Sequence, residues 1–210
     1  MKLLKKTKSL CPVCLKVIDA DVYEDGKKVI IKKECPEHGA FEDIYWSDSR
    51  LYKRFSEYQI PGDPVENPNT ERSRGCPFDC GLCNEHKTHT MLGLIDLTNR
   101  CNWHCPICFA NAEAAGYVYE PTIEQIRVMM KLFREEEPVP TENLMFAGGE
   151  PTVRSDILEI TKMAKDMGFR WVLLATNGQR IADEPEFAKQ LKQAGLQKYM
   201  KSHAASMPGQ

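Results

Sequence analysis

The feature that most restricts what this chain can become is Cys101-Asn-Trp-His-Cys105-Pro-Ile-Cys108, three cysteines at spacing C-x3-C-x2-C. They lie directly behind an apolar run, Met91 to Leu97, that reads as a buried strand. Three thiolates can hold three corners of a cubic 4Fe–4S cluster, because soft sulfur ligands suit iron–sulfur centres. The fourth iron is then left without a protein ligand. An iron that can bind a small molecule points to chemistry rather than to electron storage.

The remaining cysteines support metal ligation. All nine fall between residues 11 and 108, with close C-x2-C spacings among them and an odd total, and no apolar signal-peptide core precedes them. A disulfide framework would look different on each count. Because oxygen attacks exposed clusters, a reducing and anoxic cytoplasm follows. The net charge of −2 gives no reason to expect a nucleic-acid surface. The cluster Lys2, Lys5, Lys6 and Lys8 reads as a solvated start of chain. No apolar run approaches the ~20 residues that a membrane-spanning helix needs.

Three regions follow. Residues 1–60 read as a small zinc-ribbon or rubredoxin-like metal-binding domain. Cys11-Pro-Val-Cys14 is one knuckle and Cys35-Pro-Glu-His38 the other, joined through a hairpin at Asp25-Gly26. Together they offer Cys3His to a zinc ion or a mononuclear iron. So short a segment buries little apolar surface, so the metal supplies much of its stability. A helix from Ser47, the expected N-cap, to Ile60 would place Leu51, Phe55 and Tyr58 in the core. Residues 61–90 form a linker carrying a second C-x3-C-x2-C, Cys76, Cys80 and Cys83. No strand precedes this copy, so it is assigned to an auxiliary 4Fe–4S cluster whose fourth ligand is not evident.

Residues 91–210 alternate strand and helix, the pattern of a parallel α/β sheet. Thr122-Ile-Glu-Gln125 is a capping box opening a helix. Asn143 to Ala147 is a strand ending in Gly148-Gly149-Glu150-Pro151. After a helix over about 155–167, Arg170 to Ala175 is a strand ending in Thr176-Asn177-Gly178, and a last helix closes at Gly195. Ligands of parallel α/β folds bind beyond the carboxyl ends of the strands. All three informative loops fall there.

At this point the chain resembles the radical S-adenosylmethionine (SAM) superfamily. The resemblance implies a partial (β/α) barrel of three βα units behind a small metal-binding β domain. It implies that Cys101, Cys105 and Cys108 hold the cluster whose open iron binds SAM. Reductive cleavage would then yield a 5′-deoxyadenosyl radical that abstracts hydrogen from an unreactive C–H. Gly148, Gly149 and Glu150 match the segment that contacts the SAM amino group, Glu150 complementing its charge. Ile107 stands where an aromatic often packs on adenine, and Thr176 and Asn177 are candidate ribose contacts. An electron donor such as a ferredoxin or flavodoxin is implied as well.

The run Gly75 to Ala110, with Cys-Pro-Val-Cys and Cys-Pro-Glu-His-Gly upstream, is further similar to the archaeal tetraether lipid synthase branch. That branch implies carbon–carbon bond formation between lipid tails, and a cytoplasmic protein that is membrane-peripheral when it meets its lipid. Radical chemistry on a peptide or a cofactor precursor, and a non-catalytic iron–sulfur or zinc module, stay open as alternatives. One departure is expected: Gln197 to Gln210 carries no strand pattern, so the barrel reads as truncated, or as completed by a partner chain.

Overall fold

A computed structural model describes residues 1–59, 62–75, 78–79, 81–108, 110–112 and 116–201. The chain divides into two compact units, Met1–Ile60 and Pro61–Gln210.

The first unit is an antiparallel meander of β1 (Lys2–Leu10), β2 (Val17–Asp25), β3 (Lys28–Cys35) and β4 (Gly39–Trp46), in that order. Strand β2 alternates as a half-buried strand should, with Ile18, Ala20 and Val22 inside. Gly26 turns the β2–β3 hairpin at φ 59°, a conformation that glycine adopts without a Cβ penalty. The lysine-rich start is solvated as expected, with Lys2, Lys6 and Lys8 exposed, and it is also ordered. It pairs along its length with β2 as an edge strand, and lysines on an edge discourage pairing with another chain.

Helix α1 (Ser49–Ser56) departs from the sequence reading. Asp48 rather than Ser47 caps it, its Oδ1 accepting from the Arg50 and Leu51 N–H groups at 2.8 and 3.2 Å. Leu51, Phe55 and Tyr58 are not core: they are exposed. The aromatic contacts of the helix go from Tyr52 to Tyr45 and Trp46 and from Phe55 to Trp46. Tyr45 and Trp46 are themselves exposed, so that stripe has no interior to enter.

The second unit carries β5 (Gly93–Thr98), α2 (Ile123–Arg134), β6 (Asn143–Gly148), α3 (Ile157–Asp166), β7 (Trp171–Thr176), α4 (Gln179–Asp183), α5 (Pro185–Ala194) and β8 (Lys198–Lys201). The strands form one parallel sheet in the order β5-β6-β7-β8. The capping box forms as expected: the Thr122 hydroxyl accepts from the Gln125 N–H at 3.2 Å, and the Gln125 side chain accepts from the Thr122 N–H at 2.8 Å. One face of the sheet packs on the helices through a core that includes Leu97, Ile126, Met130, Phe146, Leu174 and Phe187. The other face carries Leu94, Asp96, Ala147 and Ala175 toward an open cavity.

Strand β8 is a correction, because no strand was expected after Gly195. Its sequence, Lys198-Tyr-Met-Lys201, is too polar to read as a buried strand. Instead β7 templates it. The Gln197 N–H donates to the Val172 carbonyl at 3.0 Å, and the Val172 N–H donates to Gln197 Oε1 at 2.6 Å. Those two bonds align the chain for parallel pairing with Leu173 to Thr176.

Candidate functional site

In the first unit, local turns bring four ligand atoms together. The first knuckle closes through the Cys11 N–H to the Lys16 carbonyl at 2.9 Å and the Leu15 N–H to the Cys11 carbonyl at 3.0 Å. The second closes through the His38 N–H to the Cys35 carbonyl at 3.2 Å. The ligand atoms of Cys11, Cys14, Cys35 and His38 all lie within 4.8 Å of one another. Tetrahedral zinc with bonds of ~2.3 Å to sulfur and ~2.0 Å to nitrogen sets sulfurs about 3.8 Å apart, and sulfur and nitrogen about 3.5 Å apart. The observed separations are 3.9 Å for Cys14 Sγ to Cys35 Sγ, with 3.5 and 3.7 Å from His38 Nδ1 to Cys35 and Cys11. The residues therefore fit one tetrahedral ion. Burial pushes the Cys11 thiol up, but the Cys14 and Val13 N–H groups and the neighbouring thiols outweigh it and bring it down to about 6.

In the second unit, Cys101, Cys105 and Cys108 line one cavity of about 680 Å³ together with Ile107, Gly148 and Gly149. Thr176 and Asn177 line it too, so all three strand-end loops meet there. Cys108 and Ile107 are exposed, whereas Cys101 and Cys105 are half-buried. Burial raises the Cys101 thiol above its ordinary range. The Trp103 N–H opposes that, while Glu150 and the two other thiols add to it. Among the described residues only the N-terminal group gathers its ligands within 4.8 Å. A wider spread in the loop suits three thiols that each bind a different iron of one cube, rather than sharing an ion. Of the second cysteine triad, Cys83 is buried, and Cys76 and Cys80 lie outside the described residues.

The two glycines have a structural reason that their spacing did not disclose. A Cβ on Gly148 would stand 2.3 Å from the Thr98 carbonyl oxygen, and one on Gly149 would stand 2.2 Å from that of Arg100. The turn after β6 crosses directly over the start of the cysteine loop. The Gly149 and Glu150 N–H groups donate to the Thr98 and Arg100 carbonyls at 2.7 and 2.8 Å. Glycine is needed there so that two backbones can touch.

Glu150 is placed between the β6 and β7 turns. It is 1% exposed, and four protein donors converge on its carboxylate. Oε1 accepts from the Thr152 N–H at 2.9 Å, the Thr152 hydroxyl at 2.6 Å and the Thr176 hydroxyl at 2.8 Å. Oε2 accepts from the Asn177 N–H at 2.6 Å. A carboxylate offers about four acceptor sites, so Glu150 is a bracket between the β6 and β7 turns. The polar groups expected to touch ribose are likewise engaged within the protein. The Thr176 hydroxyl accepts from the Gly178 N–H at 3.0 Å, and Asn177 Nδ2 donates to Asn102 Oδ1 at 2.8 Å.

Sequence reasoning missed the side chains that hold the cysteine loop. Gln179 Oε1 accepts from the Trp103 indole N–H at 2.5 Å and from Asn102 Nδ2 at 3.1 Å, latching the loop to the first turn of α4. At the loop's root, the Thr98 hydroxyl and Arg100 Nε both donate to Glu120 Oε1 at 2.7 Å. Burial pushes the Glu120 carboxyl up, but these bonds and the guanidinium charge outweigh it and hold it below its ordinary value. Beneath them Arg154, 6% exposed, donates from Nη1 to the Leu97 and Pro121 carbonyls at 2.9 and 3.0 Å, while Asp156 takes its other edge. The one hint in the sequence was position, since Trp103 lies inside the cysteine motif and Gln179 directly follows Thr176-Asn177-Gly178. Nothing in their spacing pairs them.

Comparison with known proteins agrees with this arrangement. Residues 3–47 match the HMPTM N-terminal zinc ribbon domain, and residues 95–202 match the radical SAM superfamily. The chain is 57% identical over 91% of its length to 7,8-dihydro-6-hydroxymethylpterin dimethyltransferase of Methanocaldococcus jannaschii, covering 37% of that protein. It is 32% identical over 50% of its length to GTP 3′,8-cyclase of Marinobacter nauticus, and 36% identical over 48% to Fe-coproporphyrin III synthase of Methanosarcina barkeri. It covers 30% and 24% of those two, so it spans less than two fifths of the length of each of these relatives. None of the three is named for a lipid, and the narrower tetraether resemblance finds no support among them. The superfamily implies a 4Fe–4S cluster, SAM and a redox partner, and the N-terminal Cys3His group is one that could bind zinc. Among the described residues no helix is long and apolar enough to cross a membrane. With its three cysteines, its two-glycine crossing and its parallel strand ends around one cavity, the chain belongs to the radical SAM superfamily of enzymes.

Proposed function

We propose that this chain is the SAM-activating part of an enzyme that installs a one-carbon group on a pterin. The observation that carries the radical SAM part of this reading is the convergence of Cys101, Cys105, Cys108, Gly148 and Gly149 on one cavity at the strand ends. Its substrate half is supported by the 57% identity to a dimethyltransferase whose name specifies 7,8-dihydro-6-hydroxymethylpterin. No comparable observation favours the coupling of lipid tails or a partner chain completing the barrel, and the pterin reading replaces them. A small ring compound is in keeping with the cofactor-precursor alternative.

Cys101, Cys105 and Cys108 would hold the cluster, and Ile107 with the Gly148-Gly149 turn would border the SAM beside it. When bound and reduced by a ferredoxin or flavodoxin, the cluster and SAM supply a hydrogen-abstracting carbon radical. The protein's own contribution is position and the exclusion of water. Glu150 fixes two of the three loops against each other, and Gln179 fixes the third. Cys11, Cys14, Cys35 and His38 would hold zinc as a structural staple. Cys76, Cys80 and Cys83 would hold an auxiliary cluster.

The test is anaerobic reconstitution followed by electron paramagnetic resonance of the reduced chain. Added SAM is expected to change the spectrum, and 5′-deoxyadenosine is expected to form. A spectrum indifferent to SAM overturns the reading in favour of a non-catalytic iron–sulfur module. Tight binding of 6-hydroxymethyl-7,8-dihydropterin, read by fluorescence, tests the substrate half separately.

A further inference from the structure

The cavity contains one carboxylate that the fold does not use. Strand β5 turns Ile95 and Leu97 into the core and Leu94 and Asp96 toward the cavity. Asp96 is paired in register with Ala147 of β6. Phe146 pairs with Leu174, so the next residue along, Ala175 of β7, falls in the same row as Ala147. The cavity floor at this level is therefore an acid beside two methyl groups, a flat apolar surface with a carboxylate at its edge.

Its neighbours are engaged and Asp96 is not. Glu150 accepts from four donors, Glu120 is held by Thr98 and Arg100, and Asn177 and Thr176 are bonded to other loops. Asp96 makes no hydrogen bond or ion pair among the described residues, and it is the one charged side chain among those that line the cavity. Aspartate is also disfavoured in strands, so strand propensity gives no reason for its side chain here. A carboxylate offers two oxygens that accept only. Its best partner is a planar pair of adjacent N–H donors, the geometry that makes bidentate pairing strong.

We infer that Asp96 is the substrate-recognition residue of this cavity, accepting two hydrogen bonds from the 2-amino and N3–H edge of a pterin ring. The inference rests on the pterin reading and adds to it the group that tells a pterin from its oxygen analogue. Asp96 lies two residues before Thr98, about 6.6 Å deeper along the strand at ~3.3 Å per residue. A ring held there sits below the cysteine loop rather than within it, which leaves the strand-end loops to the SAM side.

The experiment titrates the cluster-loaded chain with 6-hydroxymethyl-7,8-dihydropterin and with the lumazine that carries oxygen in place of the 2-amino group. The unmodified chain is expected to prefer the pterin by about tenfold or more, because the lumazine loses a donor and sets an oxygen against the carboxylate. Asp96→Asn, which keeps the shape, and Asp96→Ala are both expected to weaken pterin binding about 10- to 100-fold and to erase the preference. The SAM-induced change in the electron paramagnetic resonance spectrum should stay as it is in the unmodified chain. If both variants keep the preference, Asp96 is not the recogniser while the pterin reading stands. If the unmodified chain binds neither compound, the pterin reading falls and the assignment falls with it.

Discussion

The two cysteine sites of this chain are built by opposite strategies. In the ribbon, the ligand atoms are placed by turns of a few residues on adjacent strands, and their separations already match a tetrahedral ion. Cys11 and Cys35 are part of the small core they would staple. In the second unit the three cysteines ride on one long loop that takes anchors from distant elements. It is held at its root by Thr98, Arg100 and Glu120, crossed by the Gly148-Gly149 turn, and latched from α4 by Gln179. A single-ion site can therefore be written into a short stretch of chain. A cluster site with an open position needs a sheet to arrange its neighbours.

The sharpest way to break that contrast is to remove the metal. If zinc is the ribbon's staple, chelation or Cys35→Ser removes on the order of 10 kcal/mol of folding free energy. The β1–β4 amide signals should collapse to those of an unfolded chain, while the β5–β7 signals stay dispersed. Ribbon signals that survive chelation would refute the strategy assigned to it.

Next in size is Gly149→Ala, which drives a methyl group into the Arg100 carbonyl. A loss of about 3 kcal/mol in the second unit is expected in denaturant unfolding, with poor cluster incorporation on reconstitution. An unchanged midpoint would mean that the two backbones need not touch.

Gln179→Ala removes two hydrogen bonds from the loop and should cost about 1–2 kcal/mol. Its informative readout is spectroscopic: the cluster should still assemble, but its response to SAM should broaden. A response identical to that of the unmodified chain would leave the latch without a role.

The smallest effect concerns pH. Glu120 has a folded-state value depressed below its ordinary 4.5, so its contribution is present above that value. That contribution is lost as pH falls through the lower folded value. Glu120→Gln should flatten this acid limb in thermal unfolding of the metal-free chain, by less than about 1 kcal/mol because Arg100 is half-exposed. A limb of unchanged slope would place the acid sensitivity elsewhere.

What could be read in advance followed from the range of each interaction. The capping box at Thr122, the Gly195 stop and the two ribbon knuckles are patterns of three to five residues, and they form as spaced. Strand β8 was not legible, because its residues are polar and its pairing is dictated by β7. The stripe Leu51, Phe55 and Tyr58 was read as core because periodicity reports a face, not whether anything covers it.

The sequence by itself determined the chemistry available here: three thiols that could hold a cluster, four groups that could bind a single ion, and a strand–helix alternation that puts its loops at one end. Only the tertiary structure decided how those groups are disposed. The β6 turn crosses the cysteine loop, so its glycines separate two backbones. The Thr176 and Asn177 donors reach Glu150, so that acid faces protein. Among the described residues no donor reaches Asp96, which lines the cavity. The physical reason is that spacing along a chain records dihedral angles and periodicity, whereas the partner of a carboxylate depends on sheet register and on which loops that register brings within hydrogen-bond distance.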